Sequence, residues 1–139
     1  MKLKKIIAGI CVATVSISVL TLTASAASTS FDKKAGNVPV HGTLSVTSSQ
    51  VVATASIGDN PANYDTAQAR VQTLDYIMQN TSNGLRISDS TSSLWGTGGS
   101  GCSVTPNTGY KIVSAKSHSE FNINGRTYST SEYDLEANA

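Results

Sequence analysis

Two neighbouring segments of the sequence alternate apolar and polar residues with a period of two. Such a period places every second side chain on one face of a β-strand, whereas a helix requires a period of about 3.6 residues. Ser48-Ser49 separates the two segments and leaves room only for a short connection. The pattern therefore predicts a β-hairpin whose apolar face the rest of the chain must cover. The apolar positions are Val38, Val40, Leu44 and Val46 in the first segment and Val51, Ala53, Ala55 and Ile57 in the second.

A second hairpin is predicted near the end of the chain. Asn124-Gly125 lies between two alternating runs, residues 120–123 and 126–129. A type I′ turn needs positive φ at both central positions, and Asn followed by Gly tolerates this best. The sequence therefore has a strand-and-turn pattern at both ends.

The middle of the chain has further turn and strand signals. Gly58-Asp59-Asn60-Pro61 predicts a turn, and short strands are expected at 85–87 and from Tyr110 to about Ala115. Residues 88–103 are rich in Gly and Ser and are expected to form a loop, and a further strand is expected to start at Val104.

Residues 64–79 fit two structures, and the sequence leaves both open. A helix is supported by Asp65 as N-cap with Gln68 three residues later, and by an apolar stripe along one side. A strand requires a β-bulge, because the residues that face the core change there from one alternating set to the other. The helical stripe is Tyr64, Ala67, Val71, Leu74 and Ile77 or Met78, and the inward strand positions are Ala67, Ala69 and Val71, then Leu74, Tyr76 and Met78.

These patterns predict an all-β fold class, a small antiparallel β-sandwich-like domain. The alternative is an α+β domain with one helix at about 65–79 packed on an antiparallel sheet.

The first 26 residues have the features of a secretory signal peptide. A basic start precedes an apolar run, and small residues precede a cleavage point after Ala26 or, one residue later, after Ala27. Cys11 lies within the apolar run and is expected to be removed with it. We therefore expect a secreted, extracellular protein of bacterial type, with no membrane span after cleavage. The basic residues are Lys2, Lys4 and Lys5, and the apolar run extends from Ile6 to Leu22.

The remaining residues are few and poor in large apolar side chains. Of the 113 residues after Ala26, 20 are Val, Ile, Leu or Phe, near the level of about 20% that is typical of disordered chains. Seven basic and nine acidic residues give a net charge of −2, which neither extends a chain by repulsion nor favours nucleic-acid binding. One β-rich domain is expected at 38–135, with a polar arm at 27–37 and a tail at 136–139.

Cys102 is the only cysteine after the predicted signal peptide, so no disulfide can form within one chain. A homodimer linked through Cys102 is one alternative. Cys102 with His118 as base, and Asn122 or Asp89 as orienting group, has the composition of a cysteine nucleophile. The loop expected around Cys102 argues against that role, because catalytic geometry needs rigid support. An enzyme is therefore not expected.

No metal or cofactor is expected from the sequence. His41 and His118 are the only histidines, and no zinc-binding spacing surrounds them. The acidic residues do not have the spacing of a calcium loop, and the glycines at 96–101 lack the lysine of a phosphate loop.

Trp95 is the candidate ligand contact. A tryptophan in a Gly/Ser-rich segment can present an aromatic surface to a sugar or to a protein. The alternative is that Leu94 and Trp95 fold back and cover one end of the core.

Three functions are compatible with these observations. The main prediction is a secreted non-catalytic domain with a binding or structural role, whose partner is a cell surface, a glycan or another protein. The first alternative is a secreted antibacterial or toxin-like protein such as a bacteriocin, because the chain is small and exported. The second alternative is a small hydrolase that uses Cys102 and His118.

Overall fold

The computed structural model describes residues 26–139, so the predicted signal peptide lies outside the described residues except for Ala26. Within this part the chain forms ten strands and two short 3₁₀ turns, Pro61–Asn63 and Ser131–Tyr133. It contains no helix that is long and apolar enough to cross a membrane. The strands are β1 (Ala27–Ala35), β2 (Val38–Val46), β3 (Val51–Ile57), β4 (Ala67–Asn80), β5 (Arg86–Thr91), β6 (Gly96–Thr97), β7 (Gly99–Val104), β8 (Tyr110–Ile123), β9 (Arg126–Tyr128) and β10 (Asp134–Asn138).

The strands form two antiparallel sheets with a shared apolar core. The first sheet has the order β1-β2-β3-β7, and the second has the order β10-β8-β4-β5, with β6 added to β4 and β9 added to β8. This arrangement confirms the all-β, sandwich-like prediction. The alternative with a helix at 65–79 is wrong, since that segment is the long strand β4.

The first predicted hairpin is confirmed. Strands β2 and β3 pair antiparallel from Val46 opposite Val51 to Val40 opposite Ile57. All the apolar positions that the alternation singled out in this hairpin are buried. The turn is held by Thr47, whose hydroxyl oxygen accepts the Gln50 backbone N–H at 2.9 Å.

Strand β4 contains the β-bulge that the strand alternative requires. Its register against β8 shifts between Val71 and Thr73, and the buried positions change there from odd to even numbers. One extra residue in one strand has this effect, because a shift by one exchanges the two faces. The buried residues are Ala67, Ala69 and Val71 before the bulge and Leu74, Tyr76 and Met78 after it.

Three segments differ from the sequence-based expectation. Residues 27–37 are not a polar arm, since β1 pairs with β2 along its whole length and buries Phe31. The expected tail at 136–139 lies mostly in β10, which pairs with β8. The expected loop at 88–103 contains most of β5, all of β6 and most of β7. Strands β1 and β5 bury few side chains, and the mostly buried β7 consists largely of small residues, so the composition of these strands resembles that of a loop.

The second predicted hairpin is also confirmed. Strands β8 and β9 pair with Ile123 opposite Arg126, and the turn residues Asn124 and Gly125 have φ values of 52° and 83°. The Asn124 side chain also accepts the backbone N–H of Asp65 at 2.9 Å. The turn is therefore attached to the segment that leads into β4.

An aromatic cluster of Phe31, Phe121 and Tyr133 lies beside this hairpin and joins the two sheets. Phe31 of β1 and Phe121 of β8 pack edge to face at 6.2 Å between ring centroids, and Tyr133 packs against Phe121 at 5.0 Å. The Tyr133 hydroxyl donates a hydrogen bond to the Lys34 carbonyl at 2.8 Å. This cluster fixes the short connection between β9 and β10.

Candidate functional site

The outer face of the second sheet carries polar side chains from three adjacent strands. The alternation of β8 buries Ser117 and Ser119 and turns His118, Glu120 and Lys116 away from the core. The register places these outward residues in rows across the sheet. The rows are Arg70 with Glu120, then Thr73 with His118 and Asp134, then Asp75 with Lys116 and Glu136.

The first row carries a partly buried ion pair below Trp95. The Arg70 guanidinium donates to one carboxylate oxygen of Glu120 from Nε at 2.8 Å and from Nη2 at 2.6 Å. The same guanidinium lies 4.6 Å from the centroid of the Trp95 ring. Arginine stacks well on aromatic rings because its planar cation meets the negative face of the π-system. Trp95 is therefore fixed above the outer face of the sheet.

The backbone beside Trp95 is held by buried serines. Ser93 donates its N–H to the Val71 carbonyl at 2.9 Å, and its hydroxyl oxygen accepts the Val71 N–H at 2.9 Å. The Ser100 hydroxyl donates to the Leu94 carbonyl at 2.6 Å. The Leu94 side chain is nevertheless 77% exposed. Leu94 therefore does not cover the core, and the loop presents an apolar side chain next to Trp95.

A second cluster of polar side chains is centred on His118, in the row next to that of Arg70 and Glu120. The His118 Nδ1 atom is hydrogen-bonded to the Asp134 carboxylate, and its Nε2 atom lies 2.7 Å from the Ser129 hydroxyl. His118 is the outward residue of β8 directly opposite Asp134, the first residue of β10. Ser129 follows β9 directly. Strand β8 therefore brings the three side chains together. His118 lies in β8, Asp134 lies in β10, which pairs with β8, and Ser129 directly follows β9, which also pairs with β8.

An open cleft of about 380 Å³ adjoins this histidine. Its walls come from the second and third rows of the outer face and contain both charge signs. Lys116 forms an exposed ion pair with Glu136 at 3.3 Å on this surface. The cleft is lined by Thr73, Asp75, Lys116, Ser117, His118, Asp134, Leu135 and Glu136.

The structure does not bring Cys102 and His118 together. Cys102 lies in β7 of the first sheet and is buried in the core, opposite Ala53 in the register, whereas His118 is on the outer face of the second sheet. Burial raises the pKa of the Cys102 thiol to about 12. A nucleophilic cysteine needs the opposite, a lowered pKa and access to substrate. Of the two residues suggested as orienting groups, Asn122 accepts the Gly125 N–H, and Asp89 accepts the Ser90 N–H and interacts with Tyr76.

The other histidine belongs to a separate surface. His41 of β2 contacts the Asp32 carboxylate of β1 at 2.7 Å on the first sheet. Residues 26–139 contain no group of three or more His, Cys, Asp or Glu side chains that is placed to hold a metal ion.

The contact between His118, Asp134 and Ser129 and the ion pair under Trp95 were not predicted from the sequence. Comparison of the chain with family models, with curated proteins and with solved structures found no match. The outer face of the second sheet must therefore be interpreted from its own chemistry.

Proposed function

We propose that the chain is a secreted domain that binds an extracellular polysaccharide on the outer face of the second sheet. The observation that carries this proposal is the fixed position of Trp95, which stacks on Arg70 while Arg70 is paired with Glu120. A rigid aromatic ring loses little conformational entropy when a ligand binds, so it contributes more affinity than a mobile one. The predicted signal peptide at 1–26 supports an extracellular site for this ligand.

The neighbours of Trp95 fit a sugar better than a protein. A pyranose ring has an apolar face that stacks on an aromatic ring and hydroxyl groups that bond to polar side chains. The rows beside Trp95 carry hydrogen-bond donors and acceptors, among them Arg70, Glu120 and Thr73. Stable protein interfaces instead have an apolar centre. Within residues 26–139, Leu85 and Leu94 are the only exposed large aliphatic or aromatic side chains.

Binding to insoluble and soluble glycans tests the proposal. The purified protein is mixed with peptidoglycan, chitin, cellulose and starch, and the bound fraction is measured after centrifugation. Soluble fragments of the retained polymer are then titrated while Trp95 fluorescence is recorded. Trp95 is the only tryptophan in the chain, so the signal reports this site alone.

We expect Trp95→Ala to weaken binding at least about tenfold, which is the usual effect of removing a central aromatic contact. Leu85→Ala is the matched control, because it removes an exposed apolar side chain from the turn between β4 and β5. Retention of the wild-type protein by none of the polymers would overturn the proposal. Equal affinity of the Trp95→Ala variant and the wild type would overturn the assignment of the site.

A further inference from the structure

We propose that Ser129, His118 and Asp134 form a nucleophile, a general base and a positioning group that hydrolyse short-chain carboxylic esters. This inference goes beyond glycan binding and does not depend on the ligand of Trp95. It rests on two hydrogen bonds at opposite sides of one imidazole ring, one between Nδ1 and the Asp134 carboxylate and one between Nε2 and the Ser129 hydroxyl. A base within hydrogen-bond reach of a hydroxyl, itself oriented by a third group, is the arrangement that activates serine.

The order of the contacts fixes where the proton of His118 lies. An ionised carboxylate can only accept hydrogen bonds, so Asp134 requires the neutral imidazole to carry its proton on Nδ1. Nε2 is then the unprotonated nitrogen and accepts the Ser129 O–H, at 2.7 Å. This is the direction of proton transfer that nucleophilic attack by serine requires. The opposite tautomer would point a donor at Ser129 and leave no base.

The fold holds His118 and Asp134 on paired strands and Ser129 directly after a third strand. His118 and Asp134 are directly opposite residues of paired strands, and Tyr128, the residue before Ser129, is paired with Phe121. The connection from Ser129 to Asp134 is anchored by Tyr133, which is buried in the aromatic cluster. Ser129 is exposed and contacts His118, whereas Cys102 is buried in β7 of the other sheet, and this difference in access to a base and to substrate separates the two candidates.

The proposed reaction has two balanced steps. First, Ser129 Oγ attacks the carbonyl carbon of the ester while Nε2 of His118 takes the hydroxyl proton. The tetrahedral intermediate breaks its bond to the alcohol oxygen, and the alcohol leaves with the proton from Nε2. Water then attacks the acyl-Ser129 ester and gives a proton to Nε2. Collapse of this intermediate releases the carboxylic acid and returns the proton to Ser129.

The adjoining cleft indicates the class of substrate. It is open and lined by polar and charged side chains, so it suits a small acyl group and not a long apolar chain. Lys116 lines the same cleft, two residues from His118 on the same face of β8, and its ammonium group is paired with Glu136. An ammonium group has three N–H donors, so Lys116 can also donate to the carbonyl oxygen of a bound ester, on which negative charge develops.

Covalent labelling and ester hydrolysis test this inference. The full chain is incubated with diisopropyl fluorophosphate, and the modified residue is located by peptide mass spectrometry. Turnover of p-nitrophenyl acetate is measured in parallel. We expect the label on Ser129, and a loss of turnover of about 10²-fold or more for Ser129→Ala and for His118→Asn, as for other general-base sites. Asp134→Asn is expected to lower kcat much more than it changes KM, because the hydrogen bond of Asp134 fixes the orientation and tautomer of His118.

Ser131→Ala is the matched control, because Ser131 is exposed and only two residues from Ser129. It is expected to keep both the label and the turnover. Ser129→Ala and His118→Asn are checked for native β-sheet content by circular dichroism. Ser129→Cys is a further variant that keeps a nucleophile at position 129, and it is expected to be acylated there by p-nitrophenyl acetate. Absence of label on wild-type Ser129, or turnover by Ser129→Ala equal to that of the wild type, overturns the inference.

Discussion

Gly42 lies directly beneath the ring of Phe31. The two residues are opposite each other in the pairing of β1 with β2, and a Cβ atom at position 42 would lie 2.3 Å from Cε1 of the ring. Real carbon atoms do not approach this closely, so only glycine leaves room for the ring. The ring in turn reaches Phe121 and Tyr133. Gly42 therefore allows the edge strand β1 to join the aromatic cluster of the core.

Gly42→Ala should destabilise the protein strongly. The added methyl group must displace the Phe31 ring from the core, and overpacking of this kind costs about 1–3 kcal/mol. The loss is measured as the change in free energy of unfolding in urea. Phe31→Leu provides the matched background, because a smaller side chain relieves the clash. Gly42→Ala should cost less in that background, and an equal cost in both would contradict the proposed contact.

Ser93→Ala should loosen the loop that presents Leu94 and Trp95. Its hydroxyl oxygen accepts the buried N–H of Val71 at the bulge of β4. Removal leaves that donor without its acceptor, which costs about 1–3 kcal/mol. We expect faster hydrogen exchange at the Val71 amide and stronger quenching of Trp95 fluorescence by acrylamide. The exposed neighbour variant Ser92→Ala should change neither, and similar effects of both substitutions would exclude a specific role for Ser93.

Arg70→Leu should destabilise the protein more than removal of both partners of the ion pair. The Glu120 side chain is only 13% exposed, so without Arg70 its carboxylate is left partly buried and unpaired. Uncompensated charges of this kind are costly, whereas apolar replacement of a whole pair is often nearly neutral. Urea unfolding of Arg70→Leu, Glu120→Leu and the double variant checks this. The double variant should be more stable than Arg70→Leu, and additive losses would show that the pair is not coupled.

Much of the fold was predictable because it follows local rules. Asn124-Gly125 specified its hairpin through backbone conformation alone. The strand alternative for β4 included the bulge at the correct place, because the change in burial period at Val71 is visible in the sequence. The helix alternative failed because the apolar stripe from Tyr64 to Met78 also fits a bulged strand, and pairing with β8 decided between them.

Strand β7 was missed because its glycines resemble those of a flexible loop. In the folded chain these glycines permit close packing. A Cβ atom at Gly101 would lie 2.8 Å from the Ala53 carbonyl oxygen of the neighbouring strand β3. Glycine in a strand therefore allows another backbone to approach closely. The sequence of β7 alone does not show which strand lies beside it.

The candidate site was predictable only in part. If the register of the last hairpin is extended from Ile123 opposite Arg126, Ser129 lies opposite Glu120, which is two residues from His118 in β8. The contact between Ser129 and His118 could therefore have been predicted from the sequence. Asp134 and Arg70 could not be placed, because their positions depend on the pairing of β10 and β4 with β8. Such pairing is set by the packing of the whole core.

Cys102 should be unreactive in the folded protein. Its side chain is buried, and burial raises the pKa of its thiol to about 12, so almost no thiolate is present at pH 8. Iodoacetamide reacts with thiolate. We expect alkylation of Cys102 to be slow under native conditions and rapid in urea, as measured by mass spectrometry. Fast native alkylation, or a dimer on a non-reducing gel that reductant removes, would contradict the burial of this residue and support the disulfide-linked homodimer.

Stability should fall as the pH rises from about 9 to 12. Burial raises the pKa of Cys102 from 9.0 to about 12, and burial together with the charge of Asp89 raises the pKa of Tyr76 from 10.0 to about 12. Above pH 9 the unfolded chain therefore releases protons that the folded chain retains, and proton release by the unfolded state favours unfolding. Well below pH 9 both groups are protonated in both states, and this contribution to stability is fully present. Urea unfolding between pH 8 and 11 measures the decline.

Two substitutions assign this decline to its sources. Cys102→Ala keeps a small apolar side chain, and Tyr76→Phe keeps the ring, but neither new side chain can ionise. Each variant should show a shallower fall in the free energy of unfolding above pH 9, and the double variant should be the least dependent on pH. Because Tyr133 and Tyr64 also have raised pKa values, a residual slope is expected in the double variant. A double variant as steep as the wild type would show that the buried thiol and phenol do not carry the effect.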